Sequence, residues 1–205
     1  AYSSAPSYAD YVARSEWLGR LLHSRYAETR LIPAAQQAAS AFPETLNILA
    51  VIAEEDPDTV AVLPIVARLV DVGPRLQLRV LSDEGDLFAL SVLAPELDLN
   101  SLLEEWDLPQ FLLFDEEWEL QAQWGPRPSA AEPQVEAWLA AHPEYEALAE
   151  DESAAGQERY ATLTQRLMYE MRVWYNSSLA KSCLEEWQAL LTAWQNGEDA
   201  GVEGE

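Results

Sequence analysis

From Leu46 to Ala53 the chain reads Leu-Asn-Ile-Leu-Ala-Val-Ile-Ala, nearly unbroken apolar sequence closed off by Pro43 on one side and Glu54-Glu55-Asp56-Pro57 on the other. A run this short, rich in β-branched residues and without polar alternation, is the pattern of a strand buried on both faces. A helix is predicted immediately after it. Asp56 is a favoured N-cap residue and Pro57 suits the first helical position, while Val60, Leu63, Val66, Ala67 and Val70 recur at helical spacing up to Gly73-Pro74. Leu76, Leu78, Val80 and Leu81 then form a second strand, ending at the acidic turn Ser82-Asp83-Glu84-Gly85-Asp86. Strand, helix and strand in close succession predict a parallel pair joined by a right-handed crossover.

The remaining elements are arranged around this unit. Tyr8, Tyr11, Val12, Trp17, Leu18, Leu21, Leu22 and Tyr26 repeat every three or four residues, so the segment up to Phe42 reads as helices. Helical pieces follow the second strand through Leu102 to Trp106, then Asp107-Leu108-Pro109 leads into a strand from Phe111 to Phe114. A turn at Asp115-Glu116-Glu117 and a strand from Trp118 to Trp124 complete a hairpin, stopped by Gly125-Pro126-Arg127-Pro128. Ser129 to Gly156 reads as a helix followed by a mobile connection, and Gln157 to Trp194 as a long helical pattern broken near Asn176-Ser177-Ser178. These boundaries predict a flexible start over residues 1–7, one domain over 8–196 and a disordered acidic tail over 197–205.

Charge narrows the classes of partner. Twelve basic against 36 acidic residues give a formal charge of −24, a field that repels nucleic acid and anionic lipid. Neither is expected as a partner; a basic protein or a second copy of the chain is compatible with it. No apolar stretch approaches the roughly 18 residues of a membrane span. The single cysteine, Cys183, rules out an internal disulfide and predicts a reducing, cytoplasmic setting.

The predicted order of helix, β, α, β, α, β, β, α, together with Trp124-Gly125-Pro126-Arg127-Pro128, Val173-Trp174-Tyr175, Glu185-Glu186-Trp187 and Leu190-Leu191, resembles a bacterial thioredoxin-like family with an aromatic-Gly-Pro-Arg-Pro turn. The resemblance covers about Tyr8 to Leu191. It implies an α/β fold with a thioredoxin-like central mixed sheet flanked by helices, a helical N-terminal extension and a long C-terminal helix. It also implies an active-site loop after the first strand, of the form Asp-Trp-Cys-Gly-Asp-Ala, with a later proline. The matching stretch here is Glu54-Glu55-Asp56-Pro57-Asp58-Thr59, with Pro64 as that proline, so Asp56 and Thr59 stand where the redox positions would be. A carboxylate cannot replace the thiolate that attacks a disulfide.

Leu108-Pro109 resembles the dipeptide that precedes the fold's third strand with a cis proline. In the family that loop faces the start of the helix and pairs with extended segments of partners. The expected binding surface therefore comprises Asp56, Pro57, Asp58, Thr59, Trp106, Leu108 and Pro109, with no catalytic residue and no cofactor. Trp106 and Trp124 border it, whereas the other Trp residues are expected in the core. Arg127 is expected to pair with a carboxylate or cap carbonyls in its turn. His23 and His142 lack neighbours at ligand spacing, and the carboxylates around Asp56 lack a calcium-loop pattern, so no metal is expected.

The leading functional expectation is a redox-inactive thioredoxin-like module that binds a protein or peptide. Two alternatives differ from it in chemistry. One is a single-thiol oxidoreductase acting through Cys183, and the other an acidic structural or oligomerisation protein, which includes a homodimer.

Overall fold

A computed structural model of the chain describes residues 5–14, 16–54, 56–82 and 107–196. Its centre is a four-stranded sheet in the order β2-β1-β3-β4, made of β1 (Leu46–Val51), β2 (Leu76–Leu81), β3 (Gln110–Phe114) and β4 (Leu120–Trp124). β1 pairs parallel with β2 from Leu46↔Leu76 to Val51↔Leu81 and antiparallel with β3, and β3 pairs antiparallel with β4. All six residues of β1 and all five of β3 are buried, as near-continuous apolar sequence requires of central strands. Asn47 satisfies its amide by donating to the Asp115 carbonyl at 3.0 Å.

Helices α1 (Tyr8–Arg14), α2 (Glu16–Glu28) and α3 (Pro33–Ser40) form the N-terminal extension. The crossover helix α4 (Pro57–Val70) is buried at every position except Arg68. A helix apolar on all sides must be covered on all sides. Here α2, α7 (Ala154–Trp174) and α8 (Ala180–Gln195) pack against it, with α3 on α8.

Several boundaries differ from the sequence reading. The expected helix and mobile connection over 129–156 are two helices, α5 (Glu132–Ala141) and α6 (Tyr145–Ala149), followed by the start of α7. α7 begins at Ala154 rather than Gln157 because the Ser153 hydroxyl accepts the Gly156 N–H at 3.1 Å. The expected break near Asn176 is a π-helical turn, Tyr175–Leu179, which widens the helix without ending it. β4 starts at Leu120, not Trp118. Trp118 lies in the turn at a φ of 67°, where Asp115 Oδ1 accepts the Glu119 N–H at 2.8 Å.

Pro6 and Ser7, read as part of a flexible start, run along β2. Pro6 accepts the Val80 N–H at 3.0 Å and Ser7 forms a bridge to Arg79. Residues 1–4, the helical pieces up to Trp106, most of the acidic turn after Ser82 and the tail 197–205 lie outside the described residues.

Candidate functional site

The register places the site at one end of the sheet. Val51, the last residue of β1, is opposite Gln110, the first of β3. The loop into α4 and the Leu108–Pro109 bond therefore leave the sheet side by side. That bond is cis.

On the helix side, Asp56 is the N-cap of α4, and its Oδ2 accepts the Thr59 N–H at 2.6 Å, satisfying one of the helix's orphan donors. On the strand side, Gln110 donates to the Asp107 carbonyl at 2.6 Å and accepts from Gln123 at 3.0 Å, tying the proline loop to β4.

The Trp124 to Pro128 turn closes the same end. Gly125 has a φ of 140° and precedes a second cis bond, Gly125–Pro126. A Cβ on Gly125 would lie 2.3 Å from the Pro109 carbonyl oxygen, a contact only glycine allows. Beyond it, Arg127 reaches across to the first turn of α4. Its Nε and Nη2 donate to Asp58 Oδ2 at 2.9 and 2.6 Å, and Nη1 donates to Glu132 at 3.3 Å.

A second clamp comes from α8. Glu186 accepts the Trp124 indole N–H at 2.8 Å through Oε2, and the Ser129 N–H and hydroxyl at 2.8 and 2.7 Å through Oε1. Trp124 also packs on Phe111 and Trp187. The turn thus fastens β4 to both α4 and α8.

The site residues are unequally available. Asp56 and Leu108 are partly exposed, whereas Pro57, Asp58, Thr59 and Pro109 are buried, and Trp106 lies outside the described residues. Arg127 draws Asp58 inward, which confines the accessible part of the helix start to Asp56. Arg127 pairs with a carboxylate, as its sequence context suggested. Glu186 was not singled out as a clamp by any sequence signal, since it lies 57 residues from Ser129 and 62 from Trp124.

Electrostatics follow from this burial. Desolvation, then the negative charge of Asp58, pushes the Asp56 carboxyl up to about 7, against the stabilising Thr59 N–H. Burial also raises Asp58, while Arg127 opposes the shift through its hydrogen bonds and charge. Burial alone would lower Arg127, but its bonds to Asp58 prevail and raise it.

For Asp56 the folded value lies above the unfolded one, so the folded protein holds this proton more tightly. Its ionisation therefore costs stability progressively as pH rises from about 4 to about 7, and fully above that. Asp56→Asn keeps an N-cap acceptor and removes the charge. A displacement of this size is worth about 4 kcal/mol at full burial, cut to about 2 by partial exposure. Urea denaturation should give a small gain for the variant over the parent at pH 5 and a clearly larger one at pH 8.

The single thiol is elsewhere. Cys183 is on α8, fully buried, and pushed well above its ordinary pKa, first by burial and then by Glu186. A protonated, enclosed thiol is a poor nucleophile. His142 stacks on Trp138 at 4.1 Å and sets its Nδ1 2.8 Å from the Trp138 carbonyl. Among the described residues no group of three or more His, Cys, Asp or Glu is placed to hold a metal ion, and no helix is long and apolar enough to cross a membrane.

Known proteins give two kinds of match. Of the solved structures, a protein of unknown function from Pseudomonas aeruginosa is 17% identical with a TM-score of 0.52, covering 82% of this chain and 92% of its own. An HIV epitope-scaffold is 14% identical with a TM-score of 0.50, covering 84% and 93%. At such identities the likeness concerns the fold. No curated protein matches. A family model described as thioredoxin matches residues 5–139, from the strap on β2 through the sheet to α5. With its mixed sheet, crossover helix and flanking helices, the chain belongs to the thioredoxin family.

Proposed function

We infer that the protein is a redox-inactive member of this family that binds a partner through the end of the sheet where Asp56, Leu108 and Pro109 meet. The observation that carries the reading is the position of the only thiol. Cys183 is enclosed in α8, while the start of α4, where the family resemblance expects a reactive cysteine, is capped by Asp56. Thiol–disulfide exchange needs an accessible thiolate, and a capping carboxylate cannot form the mixed disulfide.

What the site retains is suited to recognition. The partly exposed Leu108, just ahead of β3, offers backbone to an extended peptide, a mode of binding that needs no sulfur. Asp58, Thr59 and Arg127 act beneath that surface, holding the first turn of α4 in place, while Asp56 and Leu108 present it. A lone enclosed thiol fits a reducing, cytoplasmic setting.

The test is comparative affinity capture with the parent and with Leu108→Arg, whose bulk and charge would occupy the loop. The reading predicts a defined set of proteins held by the parent and lost from the variant, both proteins being folded by circular dichroism. An unchanged set would refute this surface.

A further inference from the structure

Asp56 faces a second feature that the sheet-end surface does not use. Between the start of α4, α2, α6 and α7 lies a cleft of about 820 Å³, within the size range of small-molecule sites. Three aromatic residues line it. Trp17 of α2 is 44% exposed, although a large indole gains by burial, and Tyr145 and Tyr160 stack on each other at 5.0 Å. The Tyr145 hydroxyl is already engaged with Thr164 at 3.0 Å, which fixes its ring as part of the wall. Met168 adds a polarisable thioether.

Charge on this wall has one sign. Among the described lining residues Asp56 is the only acid, and there is no Lys, Arg or His. Its charge is felt inside: besides burial and Tyr160, Asp56 helps raise the Tyr145 phenol. The α4 dipole places roughly half a positive charge nearby, which a full carboxylate outweighs. The whole-chain charge of −24 adds a long-range field that gathers cations. Aromatic faces beside one carboxylate are the chemistry that holds an organic cation.

We propose that this cleft binds a small organic ammonium ion, its alkyl groups against Trp17, Tyr145 and Tyr160 and its charge toward Asp56. An inorganic cation is a poorer fit, because a hard ion calls for several charged oxygen ligands and Asp56 is the single carboxylate among the described lining residues, the other oxygens being the neutral ones of Thr164, Gln157, Gln165 and the two tyrosines. Binding here rests on the cleft alone and does not require the partner contact at Leu108 and Pro109.

Choline and its neutral carbon isostere, 3,3-dimethylbutan-1-ol, discriminate the idea when titrated into the full chain at pH 8, where Asp56 is ionised. The readouts are calorimetry and the Trp17 indole N–H resonance, assigned with Trp17→Phe. The proposal predicts saturable choline binding that shifts this resonance, little response to the isostere, and weakening by about tenfold or more in Asp56→Asn and in Trp17→Leu. Trp17→Leu changes a half-exposed residue, so a folding defect in one variant leaves the other informative. Leu108→Arg should bind choline as the parent does, which separates failure here from failure of the partner surface. No saturable choline binding, equal binding of the isostere, indifference to both substitutions, or tighter binding of a Gly-Lys-Gly peptide than of choline would each overturn it.

Discussion

Arg127→Met is expected to destabilise the protein by about 3–5 kcal/mol, measured by urea denaturation at pH 7, because it strands the Asp58 carboxylate without its counter-ion. The two side chains are only 14% and 7% exposed, and Asp58 Oδ2 receives both guanidinium bonds. The reverse truncation should be milder. In Asp58→Ala the guanidinium keeps Glu132 at 3.3 Å, whose carboxylate is 46% exposed, so the remaining charge stays paired. The double variant Asp58→Leu with Arg127→Met should recover most of the loss, since an apolar pair of similar volume often replaces a buried ion pair at little cost. The loss in Arg127→Met should also shrink as pH falls, because a stranded Asp58 protonates more readily folded than unfolded. Equal costs for the two single variants, with no recovery in the double, would mean that the pair is not what holds the turn to α4.

Gly125→Ala should be almost as damaging, at about 3 kcal/mol or more. Two costs add. A φ of 140° is a conformation reserved for glycine, and the added methyl would meet the Pro109 carbonyl oxygen at 2.3 Å with Gln110 Cα at 3.3 Å behind it. Both are backbone atoms, at Pro109 and at Gln110 where β3 begins its pairing with β1, so the obstruction cannot rotate away. Relief would require the Trp124–Pro128 turn to lift, and Arg127 would leave Asp58 with it. The variant should therefore lose part of the Asp58–Arg127 coupling as well as stability. A double-mutant cycle in the Gly125→Ala background measures this, and an undiminished coupling would argue against the linkage.

The βαβ unit was legible because its signals are local. Leu46 to Val51 could be only a buried strand, and Asp56-Pro57 marks a helix start through two independent preferences, for capping oxygen and for fixed φ. The hairpin is legible too, but strand propensity starts its second strand at Trp118, two residues before β4 begins. Trp118 has strand propensity, yet the Asp115 carboxylate accepts from Glu119 and Gln121 and holds the intervening residues in a turn. The split of 129–156 into α5 and α6 is hidden by composition, since Ala and Glu favour helix on both sides of the short His142-Pro143 interruption.

The site was partly legible for a related reason. Capping by Asp56 and the Leu108-Pro109 turn are short-range properties. The inward turn of Asp58 is not, because its partner Arg127 lies 69 residues away. Nor could the cleft be read: Tyr145 and Tyr160 are in different helices, and Trp17 reaches them only through the packing of α2 and α7 around α4. Such meetings are products of tertiary packing, on which sequence spacing is silent.

Thiol titration of the native protein with an aromatic disulfide, run beside an insulin-reduction assay, decides whether this thioredoxin fold works without a reactive thiol. Cys183 should stay unreactive until denaturant opens α8, when one thiol per chain appears, and insulin reduction should not exceed the background of the added reductant. Rapid modification of the native protein together with insulin reduction abolished by Cys183→Ser would contradict it.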